Sequence, residues 1–190
     1  MKLVNLFRRR DSAATALYGQ IVAQARQPDF YLAGVPDTVQ GRYEMIALHI
    51  FLVLHRLKHE GGHGAKLAQD LFDLLFQDMD RNLRELGTGD LAVGKRIKAL
   101  AQGLYGRIAA YEKGLAPDNG ENQLEQALDR NIFNDCEVSP DVLTGLAGYL
   151  RGEVESLAKQ SYQDLSAGRV RFNPLAMAPV APVKNARTSE

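Results

Sequence analysis

This chain has one cysteine, no net charge and no long apolar run, and each of these features excludes a class of protein. Cys136 is the only cysteine among 190 residues, which excludes an internal disulfide framework and fits a reducing compartment, by default the cytoplasm. The 23 basic and 23 acidic residues cancel, so the whole chain has no long-range attraction to nucleic acid or to an anionic membrane. The longest apolar run, Met45 to Leu57, is interrupted by histidines and an arginine and is shorter than the roughly 20 residues that cross a bilayer.

Patterns typical of β-strands, repeats and common catalytic motifs are also missing. No stretch alternates apolar and polar residues as a half-buried strand does, and no unit of roughly 20 to 50 residues recurs. The chain has no glycine-rich phosphate loop, no GxSxG nucleophile elbow and no zinc-ligand doublet. We therefore predict an all-α protein that is not an enzyme and holds no cofactor.

Apolar residues recur at helical spacing along most of the chain. The pattern predicts one compact bundle of about six or seven helices over residues 12–172, with a basic arm at 1–11 and a disordered Pro/Ala-rich tail at 173–190. Predicted helices run from Ser12 to about Ala25, Gly41 to His59, Ala65 to Leu86, Leu91 to about Lys113, Gln123 to Phe133, and onward from Pro140, with an irregular connection at 27–37. The second helix is apolar on nearly every side, which is typical of a helix surrounded by others.

The start of the chain places four apolar residues before Arg8, Arg9 and Arg10. A secretory signal has its basic residues first and a longer apolar region after them, so we do not predict export. Two interpretations stay open. The segment is a frayed basic end, or its arginines lie against an anionic membrane surface, where each contributes about 1 kcal/mol of binding free energy.

All four histidines, His49, His55, His59 and His63, fall within a short stretch. His55 and His59 share a helix face and His63 follows two glycines, so these three could supply nitrogen ligands to a metal or haem. No acidic or cysteine ligand completes the set, and a hydrogen-bonded core histidine beside a solvated one is the more ordinary explanation. We predict no metal site, and keep a small helical protein that binds haem, metal or isoprenoid, with enzymatic activity, as the alternative function.

The segment from Asp78 to Lys98 carries more charge than a connection between two helices requires. Gly87 can adopt the left-handed backbone angle that ends a helix, and Asp90 is placed to accept hydrogen bonds from the first N–H groups of the next helix. Asp78 falls on the apolar side of its helix, where an unpaired carboxylate is costly. Either it pairs with a cation, or this end of the helix is exposed for binding. The candidate cations are Arg42, Arg81 and Lys95.

Ordered motifs along the predicted first four helices resemble one known family. They read GRYEM at 41–45, LHIFL at 48–52, LHRL at 54–57, LFD at 71–73, FQDMDRNLRELGTGD at 76–90 and VGKRIK at 93–98. These motifs are similar to those of the ubiquinol-cytochrome c chaperone family, and the DMDR...LGxGD element is the most specific of them. The resemblance covers roughly residues 12–115 well and the acidic remainder loosely.

The resemblance implies a function. Mitochondrial members of the family act as assembly factors for the cytochrome bc1 complex and bind newly made cytochrome b, with a small partner protein in fungi. A non-catalytic chaperone is therefore expected here, with cytochrome b or another bc1 subunit as its partner and no nucleic acid. Because an Arg/Ser-rich transit segment before Ser12 is missing, we expect a bacterial version that is cytoplasmic or peripheral on the inner membrane.

Such a chaperone needs a mixed apolar and polar surface that accepts helices. The apolar part is predicted as a groove between the second and third helices, lined by Leu48, Phe51, His55, Phe72, Phe76 and Met79. The polar part is predicted on the charged turn, at Asp78, Asp80, Arg81, Arg84, Asp90, Lys95 and Arg96. Alternatively, any one of the aromatic residues is buried in the core and lines no groove.

Overall fold

The computed structural model describes residues 2–117, 122–134 and 136–179, with side chains from residue 13 onward. Its helices are α1 (Lys2–Ala25), α2 (Pro28–Leu32), α3 (Val39–Leu57), α4 (Gly61–Glu85), α5 (Asp90–Leu115), α6 (Gln123–Leu128), α7 (Pro140–Ala158) and α8 (Tyr162–Ser166). A 3₁₀ turn at Lys58–Glu60 joins α3 to α4, and a π-helical turn at Asp129–Phe133 extends α6. The described residues contain no β-strand, so the all-α prediction is confirmed.

Helix α3 lies at the centre of the bundle and packs against α1, α4, α5 and α7. It begins where the Thr38 hydroxyl oxygen accepts a hydrogen bond from the Gly41 backbone N–H at 3.0 Å. From Tyr43 to Val53 every residue is buried, because neighbouring helices cover each side. The prediction of a surrounded helix is confirmed, and α3 supplies much of the apolar core.

Three differences from the predicted helices go beyond a shift of one or two residues at an end. Helix α1 extends back to Lys2, so Ser12 lies inside it and does not cap it. Helix α2 occupies part of the connection predicted to be irregular, because Pro28 can take the first position of a helix. Helix α4 begins at Gly61, four residues before Ala65, because the chain turns at Gly61 (φ 59°) and the helix follows at once.

Glu44 is buried on α3 and forms an ion pair with Arg107 of α5. Gln40 donates a hydrogen bond to the same carboxylate, and the Arg107 guanidinium carbon lies 5.7 Å from the centre of the Tyr43 ring. Burial raises the pKa of Glu44, and the hydrogen bond and charge of Arg107 oppose that rise. The pair fixes the position of α3 against α5.

His49 is buried between α3 and α7 and takes part in a chain of hydrogen bonds. The Met45 carbonyl oxygen, 2.8 Å away, can only accept, so Nδ1 of His49 carries the proton and Nε2 accepts from the Tyr149 hydroxyl at 2.9 Å. The Gln24 side-chain amide donates to that hydroxyl oxygen at 3.1 Å. Burial lowers the pKa of His49 to about 4, so the ring is neutral near pH 7.

Between α8 and residue 179 the described chain forms no helix, but side chains of α1 hold it against the bundle. Gln20 donates a hydrogen bond to the Gly168 carbonyl oxygen at 2.6 Å, and Gln24 donates to the Asn173 carbonyl oxygen at 3.0 Å. Gln20 and Gln24 are one helical turn apart on the same face of α1, so this face guides the C-terminal segment along the helix.

The sequence predicts a tail from residue 173 onward. Residues 173–179 have irregular backbone, as a tail would, yet Leu175 is only 7% exposed and packs in the core. The first part of this segment therefore belongs to the packed domain. Residues 180–190 lie outside the described residues.

Candidate functional site

Helices α4 and α5 form a hairpin with a buried inner side and an accessible outer side. Leu67, Leu71, Leu75 and Met79 recur every fourth residue on α4 and are buried against the bundle. Helix α5 is 26 residues long, yet its buried residues are Val93, Leu104 and Tyr111 alone. Much of the outer surface of the hairpin is therefore available to a partner.

Three stacked rings run from the edge of the core to the surface of this hairpin, and we call Phe76, Phe72 and Tyr105 the aromatic row. The centre of the Phe72 ring lies 6.3 Å from that of Phe76 and 5.6 Å from that of Tyr105, with interplanar angles of 17° and 24°. Tyr105 is 63% exposed and the two phenylalanines are half-buried. The row offers a wide apolar contact area on side chains with few rotatable bonds, which suits the binding of an apolar helix.

The turn between α4 and α5 is held by one arginine between two carboxylates. Arg84 Nε donates to Asp80 Oδ2 at 2.6 Å, and Arg84 also forms an ion pair with Asp90 across the turn. The sequence predicts that Asp90 caps α5, and this is wrong: Gly89 occupies the N-cap position and Asp90 is the first helical residue. The Asp90 carboxylate binds Arg84, while its place in the first turn still favours a negative charge.

Asp78 has two partners, which decides between the two explanations left open by the sequence. Its Oδ2 accepts a hydrogen bond from the Tyr18 hydroxyl of α1 at 2.9 Å, and its Oδ1 forms an ion pair with Arg81. Of the three candidate cations, Arg81 is the one that pairs with Asp78, whereas Arg42 pairs with Asp37. The side chain of Asp78 is 14% exposed, and its two partners tie it to α1 and to the next turn of α4.

Apolar and basic side chains are both exposed around this turn. Leu86 is 69% exposed just after the end of α4, and Leu91 is 99% exposed in the first turn of α5. Arg96 donates a hydrogen bond to the Thr88 hydroxyl at 3.1 Å, and Lys95 is exposed. The turn therefore combines apolar contact area with charged groups, as the rim of an interface does.

The structure corrects the predicted apolar groove. Leu48 and Phe51 are 0% and 1% exposed, since α3 is enclosed on all sides, so neither can line an open groove. Met79 is also buried, at 9% exposure. His55 is partly exposed and its Nδ1 lies 3.0 Å from Glu112 Oε1. Of the six predicted groove residues, only Phe72 and Phe76 join the accessible surface of the hairpin.

The four histidines do not meet at one point. The His55 and His59 rings lie 5.9 Å apart, edge to face, and His55 also lies against Glu112, whereas His49 is in the core and His63 is exposed on the first turn of α4. Within the described ranges, no group of three or more His, Cys, Asp or Glu side chains is arranged to hold a metal ion. None of the described helices combines the length and low charge that a membrane span requires.

Two features of the surface were missed by sequence reasoning. Tyr105 and Leu91 both lie outside the apolar stripe of their helix, which runs through Val93, Leu104 and Tyr111. A large apolar residue off the buried stripe is the signal that could have found them. Arg8, Arg9 and Arg10, predicted as a membrane contact, lie in the first part of α1, where side chains are outside the described residues.

Comparison with known proteins points to one family. The family model described as Ubiquinol-cytochrome C chaperone matches residues 32–172, which is more than half of the chain. Ubiquinol-cytochrome c reductase complex assembly factor 1 from Mus musculus is 27% identical over 165 residues, covering 86% of this chain and 55% of that protein. The protein of the same name from Homo sapiens is 28% identical over 166 residues, covering 86% and 54%. The chain thus spans about half the length of these two curated relatives.

A solved structure is similar over almost the whole fold. The crystal structure of the Cbp3 homolog from Brucella abortus shares 41% sequence identity with this chain and superposes with a TM-score of 0.80. The match covers 93% of this chain and 99% of that one. The chain is therefore similar to this solved protein in both fold and sequence.

Proposed function

Because this chain belongs to the ubiquinol-cytochrome C chaperone family, we propose that it assists assembly of the ubiquinol-cytochrome c reductase (cytochrome bc1) complex. In this proposal it binds newly made cytochrome b, or another subunit of that complex, before the subunit joins its partners. It does so without a cofactor and without catalysing a reaction. The α4–α5 hairpin carries the binding surface.

The aromatic row is the observation that carries this assignment of the surface. An unassembled membrane subunit has apolar helices that its own partners do not yet cover, and such helices bind to grooves lined by aromatic and aliphatic side chains. Tyr105 is largely exposed beside the half-buried Phe72 and Phe76. A large apolar residue left exposed on a folded helix marks an interaction site when others adjoin it.

Charged residues of the turn supply selectivity in the proposal. The exposed ion pairs of Arg84 with Asp80 and Asp90 contribute little to stability, because solvent screens them. At an interface rim the same groups align a partner and disfavour one with the wrong charge pattern. Lys95 and Arg96, both exposed at the start of α5, extend this rim.

The proposed location is the cytoplasm, at the surface of the inner membrane. Arg8, Arg9 and Arg10 would approach anionic lipid headgroups, which keeps the protein near its client. Sedimentation with vesicles of phosphatidylglycerol and phosphatidylcholine tests this. Replacing the three arginines by glutamine should release the protein, whereas the charge-matched replacement of Lys159, Arg169 and Arg171 should not. Equal sedimentation of both variants would contradict the membrane contact.

Site-specific photocrosslinking tests the client surface. A benzoylphenylalanine at position 105, on the hairpin, should crosslink to cytochrome b in cells that are synthesising the complex. The same residue at the exposed position 155 of α7 should not, and so serves as the control. Crosslinks to cytochrome b from position 155 alone would place the binding surface elsewhere.

The function itself is tested by deletion of the coding sequence. We expect the amount of assembled bc1 complex to fall, and expression of the Tyr105→Ser variant to restore it less well than wild type. Normal complex levels in the deletion strain would refute the proposal. A haem-dependent Soret shift that is lost in His55→Ala would favour the haem-binding alternative.

A further inference from the structure

A groove lies between α7 and residues 173–177. Its volume is about 310 Å³. Gly145, Gly148 and Gly152 of α7 contribute to its wall, and a Cβ added to Gly148 or Gly152 would meet no atom within 4 Å. The helix backbone is thus open to close approach by another molecule along this face. At one end the Met177 side chain covers Gly145.

Glu153 lines this groove and is 1% exposed. One carboxylate oxygen, Oε1, accepts two hydrogen bonds from Asn173, from its backbone N–H at 2.9 Å and from Nδ2 at 2.7 Å. The other oxygen, Oε2, exposes less than 1 Å² and receives no hydrogen bond from any described residue. A buried acceptor without a donor is costly, and more so when the group is ionised.

The surroundings of Glu153 supply no positive charge. Asn173 and Tyr149, two of its polar neighbours, are both uncharged. Burial raises the pKa of the Glu153 carboxyl, the hydrogen bonds from Asn173 oppose that rise, and no described basic side chain pairs with it. Glu44, the other buried glutamate, has Arg107 as its partner. Glu153 is therefore a buried carboxylate with half of its hydrogen-bonding capacity unused, in the same groove wall as the three glycines.

We propose that this groove binds a guanidinium or ammonium group, whose N–H hydrogens are donated to Glu153 Oε2. A cation supplies both things that the carboxylate lacks, a donor and a compensating charge, and charge-assisted hydrogen bonds are the strong ones. The glycine face leaves room for the chain that carries the cation. The source is an arginine or lysine side chain of a partner polypeptide, or a small free cation with the same group.

Entry of the cation requires a local movement. Because Oε2 is shielded from solvent, a ligand reaches it only if a wall of the groove moves, and residues 173–177 form the wall that has no regular secondary structure. These residues are held by the hydrogen bonds of Asn173 with Gln24 and Glu153 and by the buried side chain of Leu175. Binding should therefore change the environment of this segment as well as that of α7.

Titration of the ¹⁵N-labelled full chain tests the proposal. Methylguanidinium and butylammonium chloride should cause saturable shifts of the Gly148 and Gly152 amide signals. Tetramethylammonium chloride, a cation without N–H donors, should not. The blocked peptide acetyl-Ala-Arg-Ala-amide separates the two sources: binding tighter than that of methylguanidinium identifies a side chain, and equal binding identifies a free cation.

Variants show whether Glu153 is responsible. In Glu153→Gln the amide oxygen can still accept from Asn173, while an NH₂ group replaces Oε2, so binding should weaken about tenfold or more. Glu155→Gln, on the exposed side of α7, is the matched control and should bind as wild type. If Glu153→Gln fails to fold, Gly148→Leu fills the groove without touching the carboxylate and should abolish binding. No saturable shift with either N–H cation, or unchanged binding in the folded variants, would overturn the proposal.

Discussion

The Tyr18 hydroxyl donates a hydrogen bond to Asp78 Oδ2 across 2.9 Å and so ties α1 to α4. Burial raises the pKa of Tyr18, and the hydrogen bond and the negative charge of Asp78 raise it further. A carboxylate on the inner side of α4 is tolerated because Tyr18 and Arg81 both bind it. The hairpin that carries the aromatic row is thereby anchored to the first helix.

Tyr18→Phe should lower the free energy of unfolding by about 1 kcal/mol, because Asp78 loses one donor but keeps Arg81. Urea unfolding followed by circular dichroism measures the change. Tyr105→Phe, which removes the hydroxyl of an exposed tyrosine, is the control and should leave stability unchanged. An equal effect of the two substitutions would show that the bond to Asp78 contributes nothing.

Stability should depend on pH through His49. The pKa of its ring is about 4 in the folded chain, against 6.5 ordinarily, so between these values the unfolded chain binds more protons. The contribution of neutral His49 is fully present above about pH 6.5. It is lost as pH falls towards 4, at up to about 1.4 kcal/mol per pH unit.

Urea unfolding at several pH values tests this by comparison with His49→Asn, in which Asn can still donate to the Met45 carbonyl. The variant should be less stable than wild type at pH 7, and the difference should shrink as pH falls from 6.5 to 4. His63→Asn, at an exposed position, should run parallel to wild type. A constant difference between wild type and His49→Asn would contradict the lowered pKa.

The buried pair of Glu44 and Arg107 should respond differently to single and double substitution. Arg107→Met leaves a buried carboxylate without its cation and should cost about 3 kcal/mol at pH 7. The double variant Glu44→Gln/Arg107→Met should recover most of this loss, because Gln40 can still donate to an amide oxygen at position 44. Denaturant unfolding of the three proteins measures the coupling.

Repeating the same experiment at several pH values tests the direction in which stability changes with pH. Without Arg107 the folded-state pKa of Glu44 lies further above its unfolded value, so Arg107→Met should approach wild type as pH falls and lose stability as pH rises. Arg42→Met breaks an exposed ion pair with Asp37 that solvent screens, so it should cost much less stability than Arg107→Met at any pH. Similar losses for Arg42→Met and Arg107→Met would show that burial of the pair is unimportant.

Two glycines of the hairpin should give opposite results when replaced by alanine. Gly87 has φ of 79°, a left-handed backbone angle that disfavours a Cβ, so Gly87→Ala should destabilise the protein by about 1 kcal/mol. Gly94 lies inside α5 with open space around it, so Gly94→Ala should stabilise by about 0.5–1 kcal/mol. Thermal unfolding measures both, and a shift of the same sign in each would contradict this account of the turn.

Sequence reasoning located the helices better than it located the surface. The central helix and the hairpin were predictable because each depends on apolar residues at fixed local spacing. Phe51 and Phe72 look alike in the sequence, since each lies beside a leucine in a predicted helix. Which of them stays buried depends on how many neighbouring helices cover each one, and local spacing does not contain that information.

What the sequence determined by itself is the all-α architecture, the enclosed position of α3 and the charged turn near Gly87, because helix periodicity and turn chemistry are properties of neighbouring residues. Only the tertiary structure decided the partners of the buried polar groups. Asp78 meets Tyr18 across 60 positions of sequence, and Glu44 meets Arg107 across 63. Such pairs form when helices pack, and the sequence between them does not indicate which side chains will meet.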